Sequence, residues 1–571
     1  MIRFANAKER IILKSADESI VNNLKEQLNV PYGIARILVG RNLTTFDACK
    51  SFFRPDSSHF CDPFLFKDME KAVERISQAI RDKEKIVIYG DYDVDGVTST
   101  TVMVRILRAL GAECDFYLPN RLTDGYGITE AGIKQIAAGG TKLLITVDCG
   151  ITAVNEIELA RQLGIDCIIT DHHEPKEILP IAYAIINPKV AGDTYPDKNL
   201  AGVGVALKLC QAIAKYTEIG EELWMPILDL VALGTAADIV PLIGENRIIT
   251  RLGFEMLSNS MHVGLKALIS QQGLAGKRIS TSQVVFQIAP CINAVGRLGD
   301  PRLGVELLLT NDPQVAQDYA MALRNANCER RALDNNVAEE ACAWVEQNCD
   351  PEKDYAIVVG KEQWHVGVIG IVASKLVERY HRPSILFSVG NDGLARGSGR
   401  SIPGLHLLNA LDSCSGILES FGGHAAAAGM NCKKENIDRF RGKFNEVVRG
   451  MVKPEDLVPL VMADAEVTLP DITPKFSRII KEMEPFGPGN MRPVLFCKDL
   501  RHKYSPKIVG NGHVKMSLTG DGIMMDAIGF NFGDRFPEIK SAAKMALAFS
   551  LDENEWNGKT NWQMKVKGFS L

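Results

Sequence analysis

Aspartate and histidine side chains are concentrated in three short stretches, each of which directly follows a run of apolar, β-branched residues. The stretches are GDYDVDG (Gly90–Gly96), TVDCG (Thr146–Gly150) and TDHHEP (Thr170–Pro175). Because short apolar runs predict buried strands, the oxygen and imidazole donors are expected at strand ends. Carboxylates and imidazoles gathered in this way suit Mn²⁺ and also permit Mg²⁺. We therefore predict a site for two divalent cations and metal-dependent phosphoryl-transfer chemistry.

Asp91, Asp93 and Asp95 alternate along the first stretch. In an extended backbone, residues two apart point to the same side, which predicts three carboxylates facing one site. Such carboxylates repel one another and would take up protons unless a cation neutralises them. Gly90 and Gly96 would let the chain turn sharply around the ligand. For this stretch alone, an exposed acidic turn is the alternative.

Asp148, His172 and His173 extend the donor set at the next two strand ends. A lone histidine beside a strand is more often hydrogen-bonded within a core, but two adjacent histidines behind an aspartate favour a ligand role. Asp238, in GTAADIVP, follows a predicted helix. Taken by itself, Asp238 could equally be an ordinary residue at a helix end.

Two glycine-rich pieces, GLARGSGRS and FGGHAAAAGM, lie in the second half of the chain. Arg396, Ser398 and Arg400 stand among glycines, which allow close approach, and arginine binds phosphate in bidentate fashion. His424 lies on a glycine turn before small residues that could begin a helix, whose N-terminus would bind an anion. Together the two pieces predict a phosphate-binding face. A glycine-rich hairpin with solvated arginines is the alternative.

The order of elements predicts an α/β protein. Between about residues 70 and 190, short apolar strands alternate with amphipathic helices, which indicates a doubly wound parallel sheet that binds ligands beyond its carboxyl strand ends. A long helix from Pro313 toward Asn348, a smaller α/β domain and an OB-like β-barrel follow. The predicted segments are 1–60 (N-terminal helical), 61–250 (catalytic), 251–350 (helical connector), 351–453 (phosphate-binding) and 454–571 (nucleic-acid-binding barrel).

Composition sets broad limits on the function. A chain of 571 residues predicts three or four domains. The net charge of −5 neither indicates nor excludes a nucleic-acid partner, because the local distribution of charge decides. The stretch Cys497–Lys515 is rich in basic residues, and we predict that Arg501, Lys503 and Tyr504 guide single strands by charge and stacking. A solvated polar face is the alternative.

Cysteine usage and hydropathy predict a reduced, non-membrane environment. None of the thirteen cysteines forms a CxxC pair, and no run of about 18 apolar residues occurs. The first ten residues have no apolar segment typical of a signal peptide. We expect reduced thiols and a cytoplasmic location.

These motifs, in this order, resemble the DHH phosphoesterase family. Asp171-His172-His173 is similar to the triplet that names the family, and FGGHAAAAGM resembles the glycine–histidine motif of its DHHA1 domain. INAVGRL, WHVGVIGIVASK, ARGSGRS and PFGPGN further resemble segments of its bacterial single-strand-specific exonucleases. The resemblance runs from about residue 60 to the C-terminus. Two positions depart from it: Cys291 replaces a frequent arginine, and Met491 replaces a usual proline.

The resemblance implies roles for individual residues. The implied ligands of two Mn²⁺ or Mg²⁺ ions are Asp91, Asp93, Asp95, Asp148, His172 and Asp238, with Asp91 either a ligand or a close neighbour. The implied catalytic residues are Asp93, Asp95, Asp148, His172 and His173. The residues implied to contact phosphates are Arg297, Arg396, Ser398, Arg400 and His424. The segment 61–250 would be the DHH domain and 351–453 the DHHA1 domain.

The implied activity is hydrolysis of single-stranded DNA from the 5′ end to 5′-mononucleotides, in recombination and mismatch repair. The implied state is a cytoplasmic monomer, with a single-stranded-DNA-binding protein and a RecQ-type helicase as partners. One alternative is another DHH enzyme, such as a nano-RNA or cyclic-dinucleotide phosphodiesterase or a pyrophosphatase, which usually lacks a terminal barrel. The other is a non-catalytic single-strand-binding scaffold, against which the presence of every candidate acid and imidazole argues.

Overall fold

The chain forms two compact units in the computed structural model, which describes residues 9–120, 127–556 and 559–571. The first unit comprises Asp47–Cys328 and Met483–Arg492. The second comprises Glu329–Glu482, Pro493–Leu571 and the described residues up to Phe46. Met483–Arg492 therefore packs with the first unit, although it lies within the segment 454–571 that was expected to form the barrel domain.

The N-terminal segment, which was expected to be helical, also contains a strand. Its elements are β1 (Arg10–Leu13), α1 (Glu18–Leu28), α2 (Tyr32–Val39) and α3 (Phe46–Phe53). Strand β1 pairs in parallel with Leu460–Ala463 of the same unit. This long-range pairing has no signal in the local sequence. The first eight residues of the predicted segment 1–60 lie outside the described residues.

A five-stranded parallel sheet is the centre of the first unit. Its strands are β2 (Ile86–Gly90), β3 (Cys114–Tyr117), β4 (Leu143–Val147), β5 (Asp166–Thr170) and β6 (Ala184–Ile186). The spatial order is β3-β2-β4-β5-β6, and every neighbouring pair is parallel. The strand order reverses between β2 and β4, which defines a topological switch point. The predicted doubly wound sheet is confirmed.

Helices cover both faces of this sheet, and further helices of the unit pack outside them. They are α4 (Met69–Arg81), α5 (Val94–Ala109), α6 (Glu130–Ala138), α7 (Val154–Gln162), α8 (Gly202–Tyr216), α9 (Leu228–Ala237), α10 (Gly244–Leu257), α11 (Val263–Gln271), α12 (Thr281–Gln283), α13 (Ala289–Leu298) and α14 (Arg302–Leu309), with a π-helical turn at Val284–Ile288. Successive strand residues alternate between two apolar cores. Ile88 packs in the core that includes α4, α5 and α8, whereas Tyr89 packs with Ile133 of α6 and Ile157 of α7.

The predicted long helix is present as α15 (Pro313–Asn348). Asp312 Oδ1 accepts hydrogen bonds from the backbone N–H groups of Gln314 (2.7 Å) and Val315 (3.2 Å), so Asp312 caps the helix. Pro313 occupies the first helical position, where its missing N–H group has no cost. The residues of α15 up to Cys328 belong to the first unit and the later ones to the second.

A mixed sheet forms the α/β part of the second unit. Its strands are β7 (Ile357–Glu362), β8 (Ser384–Val389), β9 (Leu394–Arg400), β10 (Ser420–Gly423) and β11 (Ala427–Lys433), and its helices are α16 (Val366–Tyr380), α17 (Leu407–Asp412) and α18 (Ile437–Met451). The order is β10-β11-β9-β8-β7, with β7 and β8 parallel and the other pairs antiparallel.

The expectation that FGGHAAAAGM begins a helix is wrong. Its residues form most of the β10–β11 hairpin, and His424 N–H donates to Ala427 O at 2.9 Å across the turn. Ala428 pairs with Gly423 on one side and with Gly399 of β9 on the other. Pairing with two neighbouring strands overrides the helical propensity of the four alanines.

The C-terminal part of the second unit is a closed five-stranded barrel, as predicted. The elements from residue 460 onward are β12 (Leu460–Ala463), β13 (Ala465–Glu466), α19 (Pro474–Glu482), β14 (Leu495–Val509), β15 (His513–Gly520), β16 (Ile523–Gly529), α20 (Phe536–Ser541), β17 (Met545–Trp556) and β18 (Lys559–Ser570). Strand β14 pairs with both β15 and β17 and so closes the sheet, while β16 and β18 are parallel. This is the architecture of an OB-fold.

All thirteen cysteines are free thiols, and most are buried. Across the part of the chain that the structure describes, no helix has the length and hydrophobicity that a membrane crossing requires.

Candidate metal centre

The three acidic stretches meet at one edge of the parallel sheet. Asp91 directly follows β2, Asp148 follows β4 and Asp171 follows β5, and these three strands are neighbours in the sheet. The edge is the carboxyl end of the strands, next to the switch point between β2 and β4. Ligands of doubly wound proteins bind at this position.

The backbone conformation of the first acidic stretch differs from the one predicted. Asp93 is the N-cap of α5, with its Oδ1 accepting from Gly96 N–H at 3.1 Å, and Asp95 lies in the first helical turn. The expectation of a fully extended stretch with three carboxylates on one side is therefore wrong. A Cβ atom at Gly96 would lie 2.3 Å from Asp91 O, so only glycine permits this tight turn.

The structure nevertheless brings all the predicted acids and imidazoles together. The described residues include three groups of possible metal ligands, and within each group the ligand atoms lie within 4.8 Å of one another. The groups are Asp91–Asp93–Asp148, Asp95–His172–Asp238 and Asp148–His172–His173. Asp148 and His172 each belong to two groups, so the three groups form one continuous cluster.

A backbone contact fixes the orientation of His172. Its Nδ1 lies 3.1 Å from Leu200 O, so Nδ1 carries the proton that this carbonyl accepts. Its Nε2 then faces the carboxylates, 3.2 Å from Asp148 Oδ1 and 3.7 Å from Asp238 Oδ2. A histidine held through one ring nitrogen and free at the other has the arrangement of a metal ligand.

Asp171 positions the other residues of its triplet. This buried carboxylate accepts from the backbone N–H groups of His172 and His173 through Oδ1 and from Ile151 N–H through Oδ2. Its Oδ1 also lies 2.7 Å from His173 Nδ1. Burial by itself would lower the pKa of His173, but the hydrogen bond and charge of Asp171 raise that pKa to about 9.

The N-terminus of α8 supports Asp95. Gly202 N–H donates to Asp95 Oδ2 at 2.7 Å and Val203 N–H to Asp95 Oδ1 at 2.8 Å. Unpaired N–H groups and the positive end of a helix dipole favour a carboxylate at this place. A Cβ atom at Gly202 would lie 2.4 Å from Asp148 Oδ1, so glycine also permits the close approach of α8 to the cluster.

Buried carboxylates dominate the electrostatics of the cluster. Burial, with the charges of neighbouring aspartates, raises the pKa of Asp95 and of Asp148 well above the usual range. Burial and the charge of Asp93 raise the pKa of Asp238 to about 7, and burial lowers the pKa of His172 to about 4. Asp148 Oδ1 is buried and makes no hydrogen bond within the described part of the chain. A hard divalent cation would neutralise the carboxylates and accept the lone pair of the neutral His172 imidazole, so the donor set fits Mn²⁺ or Mg²⁺.

Sequence reasoning missed several residues that support this cluster. Asn293 Oδ1 accepts from Val94 N–H at 3.1 Å, and the fully buried Asn187 donates from Nδ2 to His173 O at 2.9 Å. Lys189 is close enough for its charge to lower the pKa values of His172 and Asp238. Asn293 lies in the INAVGRL motif, but no pattern in the sequence indicated its contact.

Arg297 lies beside the first acidic stretch, whereas Cys291 faces away from it. Arg297 is in the last turn of α13, and a Cβ atom at the preceding Gly296 would lie 2.7 Å from Tyr92 O. Cys291 is fully buried, and its Sγ accepts from Asn327 Nδ2 of α15 at 3.5 Å. The cysteine therefore fills a helix interface and does not present a phosphate contact.

The remaining predicted phosphate contacts lie in the second unit. Arg396, Ser398 and Arg400 alternate along β9, so their side chains share one face of the sheet. Arg400 Nη1 donates to Ser398 Oγ at 3.2 Å, and a Cβ atom at Gly370 of α16 would lie 2.8 Å from that Oγ. Arg396 forms an ion pair with Asp392 at 2.9 Å. His424 is exposed at the β10–β11 turn.

Basic and aromatic side chains lie on the outer surface of the barrel. Arg501, Lys503 and Tyr504 of β14 are exposed, with Tyr504 at 63%. Lys507 of β14 pairs with Lys515 of β15, which pairs with Ile528 of β16. Ile528 in turn pairs with Lys565 of β18, so the four residues form a row across the strands. Lys565 Nζ also lies 5.1 Å from the ring centroid of Phe530, which is 43% exposed.

Fold and site together define a phosphoesterase of the DHH–DHHA1 class. The DHH family, N-terminal domain, matches residues 85–235, the DHHA1 domain matches residues 352–450, and the RecJ OB domain matches residues 463–568. All three domains occur in the order and places that the fold shows. The chain belongs to the RecJ family of this class.

Curated relatives and solved structures are similar to this protein over nearly the whole chain. The single-stranded-DNA-specific exonuclease RecJ of Bacillus subtilis is 41% identical over 563 residues, which are 98% of this chain and 71% of that protein. A crystal structure of RecJ from Thermus thermophilus in complex with Mn²⁺ has a TM-score of 0.84 and 27% identity, and covers 99% of this chain and 79% of that one. The complex with Mg²⁺ has a TM-score of 0.78 and 26% identity, with 98% and 78% covered.

Proposed function

We propose that this chain is a metal-dependent exonuclease that hydrolyses single-stranded DNA from the 5′ end to 5′-mononucleotides. This activity would serve DNA recombination and repair, including mismatch repair. The observation that carries the proposal is the continuous cluster of six or more carboxylate and imidazole donors at the switch point, in a chain of the RecJ family. The relatives' names supply single-stranded DNA as the substrate, and the family resemblance supplies the direction.

The residues that would hold two cations are Asp91, Asp93, Asp95, Asp148, His172 and Asp238. Asp148 connects two parts of this donor set, because it shares one group with Asp91 and Asp93 and another with His172. When bound, the cations supply a water nucleophile at neutral pH and neutralise charge on the phosphate. A buried site with little bulk water strengthens such electrostatic stabilisation.

The histidines act through the ring nitrogens that the protein leaves available. Leu200 O holds Nδ1 of His172, which directs Nε2 to the ligand cluster. Asp171 holds Nδ1 of His173, which leaves Nε2 of this half-exposed ring to bind a phosphate oxygen or to pass it a proton. His172 is therefore assigned to metal binding and His173 to the substrate.

Substrate binding would use both the phosphates and the bases of the strand. Arg297 would contact a phosphate beside the acidic stretch, and Arg396, Ser398, Arg400 and His424 would bind phosphates on the second unit. Arg501, Lys503 and Tyr504 of the barrel would track the strand by charge and by base stacking. The OB architecture supports this assignment, because OB-folds bind oligonucleotides on the surface of their central strands.

Two end-labelled single strands test the proposal. A 5′-labelled strand should release labelled mononucleotide at once, whereas a 3′-labelled strand should shorten progressively and release its label last. EDTA should stop both reactions, and Mn²⁺ or Mg²⁺ should restore them. Immediate release of the 3′ label, or full activity in EDTA, would refute the proposal. Short RNA, cyclic dinucleotides and pyrophosphate, assayed in parallel, should be poorer substrates than single-stranded DNA, which excludes the other DHH activities.

The proposal extends to partners and to cellular context. We propose a single-stranded-DNA-binding protein and a RecQ-type helicase as partners, and a cytoplasmic monomer as the working form. The family resemblance supports these partners. A helicase would supply the single-stranded substrate, and a binding protein would cover it. Sedimentation at working concentration should give one species near 62.6 kDa. Binding of each purified partner, measured by calorimetry, tests the remainder.

A further inference from the structure

The segment Met483–Arg492, here called the bracing loop, packs against the turn that carries Asp238. The turn is the connection Asp238–Ile243 between α9 and α10. Pro488 O of the loop accepts from Leu242 N–H at 2.7 Å. A Cβ atom at Gly487 would lie 2.6 Å from Leu242 Cδ1, so the side chain of Leu242 packs against Gly487 in a space that glycine leaves open. Both segments belong to the first unit.

The turn is strained and depends on such outside contacts. Ile239, next to Asp238, has a φ of +63°, a conformation that β-branched residues rarely adopt. Its side chain is 60% exposed, so burial of this residue contributes little to holding the conformation. A strained residue persists only where its surroundings enforce its geometry. Leu242, which is 1% exposed, is the residue of this turn that contacts Pro488 and Gly487 of the bracing loop.

Hydrogen bonds close the bracing loop and attach it to α10. Asn490 is 1% exposed, and its Nδ2 donates to Met483 O at 2.9 Å and to Pro485 O at 2.8 Å. Gly487 and Asn490 also exchange both backbone hydrogen bonds. Arg247 Nη1 donates to Met483 O at 3.1 Å, which attaches the loop to α10. The side chain of Asn490 therefore closes the loop, and that of Arg247 docks it.

A second contact continues from the turn to Asp95. The fully buried Asn246 donates from Nδ2 to Pro241 O at 3.1 Å and to Asn199 O at 2.6 Å. The segment so held leads into Gly202, whose N–H group donates to Asp95 Oδ2. Pro241 is the residue directly before Leu242, to which the bracing loop binds. Asn246 thus connects the turn after Asp238 to the segment that supports Asp95.

We propose that the bracing loop positions Asp238, so that Asn490 and Gly487 are positioning residues that set the metal affinity of a centre they do not touch. This inference rests on the proposed function, because it takes Asp238 as a metal ligand. Removing groups that orient metal ligands weakens metal binding by about 10- to 100-fold. The bracing loop acts one contact further out, so we expect about a 10-fold loss of Mn²⁺ affinity when it is loosened.

The first test compares Asn490→Ala with the unmodified chain. The dissociation constant for Mn²⁺, from electron paramagnetic resonance of the free ion, should rise by about 10-fold. Amides of residues 238–243 should exchange hydrogen faster in the metal-free protein. The matched control is Leu268→Ala, which removes a fully buried side chain from the core of the same unit. It should lower the unfolding midpoint but leave Mn²⁺ affinity unchanged.

The second test pairs Gly487→Ala with Leu242→Ala. The added methyl group should displace Leu242 and weaken Mn²⁺ binding, and shortening Leu242 should relieve the clash and recover part of the affinity in the double variant. The inference is overturned if both Asn490→Ala and Gly487→Ala bind Mn²⁺ as the unmodified chain does, or if Leu268→Ala weakens binding equally. Two other results would count against the proposed function: no Mn²⁺ binding by the unmodified chain, or normal Mn²⁺ binding by Asp238→Ala. Either result would remove the inference as well.

Discussion

Val94 N–H donates to Asn293 Oδ1 at 3.1 Å, which joins the backbone between Asp93 and Asp95 to helix α13. We predict that Asn293→Ala weakens Mn²⁺ binding by about 10-fold, because both neighbouring carboxylates lose a fixed position. Asn293→Asp keeps an acceptor oxygen and should bind Mn²⁺ better than Asn293→Ala. Calorimetric titration of the three proteins gives the comparison. Equal affinity of the alanine variant and the unmodified chain would show that the contact is dispensable.

Mn²⁺ should stabilise the folded first unit. A ligand at 100 times its dissociation constant contributes about 2.7 kcal/mol, which corresponds to a rise in unfolding midpoint of about 5 °C. Asp148→Asn should abolish the rise, because it removes the residue that connects two groups of the cluster. In metal-free buffer the same variant should unfold at a higher temperature than the unmodified chain, since one of several mutually repelling buried carboxylates is gone. Scanning calorimetry with and without EDTA measures both effects. A variant that is less stable without metal would contradict this account of the electrostatics.

Arg400 should contribute to substrate binding and not to the chemical step. We expect Arg400→Ala to raise KM for single-stranded DNA by about 10-fold, since a charged hydrogen bond contributes about 1.5 kcal/mol, while kcat changes little. Arg439→Ala is the matched control, because it removes an exposed arginine of the same unit from α18. Steady-state kinetics on a long single strand separates KM from kcat. An equal rise in KM for both variants would show that Arg400 contributes only its positive charge and not a specific phosphate contact.

Tyr504 should stack on a base. We predict that Tyr504→Ala weakens equilibrium binding of a non-cleavable single strand by about 10-fold, because such stacking contributes about 1–3 kcal/mol. Lys503→Ala should instead lower the salt dependence of binding, by about one unit of slope. Fluorescence anisotropy across a salt series measures both quantities. Point variants are needed, because deletion from about residue 455 would also remove the bracing loop from the first unit. Unchanged binding by Tyr504→Ala would place the strand elsewhere on the barrel.

Local patterns in the sequence predict most of the fold. Buried apolar strands such as Leu143–Val147 and the capped helix Pro313–Asn348 have the observed bounds, because continuous apolar runs and capping residues act within a few positions. The sequence of strand β14 indicates only a basic stretch, because its charged residues mask the alternation of apolar and polar residues that predicts a strand. The alanines after His424 were misread because strand pairing, which is non-local, decided their conformation.

The membership of the metal cluster was predictable, but its geometry was not. Every acid and imidazole predicted for it lies in the cluster, because each occurs within a few residues of the end of a recognisable strand or helix. The conformation around Asp93 was mispredicted, because its side chain caps a helix instead of continuing a strand. Asn293, Asn246 and the bracing loop went unrecognised as supports. Their partners are distant in the chain, and no local pattern encodes such contacts.

The most direct measurement is single-turnover cleavage by Asp148→Asn, with Mn²⁺ and enzyme both in excess over end-labelled single-stranded DNA. The substitution conserves shape and removes one charge from the centre of the cluster. We predict a rate lower by about 1,000-fold, equivalent to about 4 kcal/mol of transition-state stabilisation, in a protein that remains folded. Cleavage by this folded variant at the rate of the unmodified chain would contradict the assignment of the acidic cluster as the catalytic metal centre.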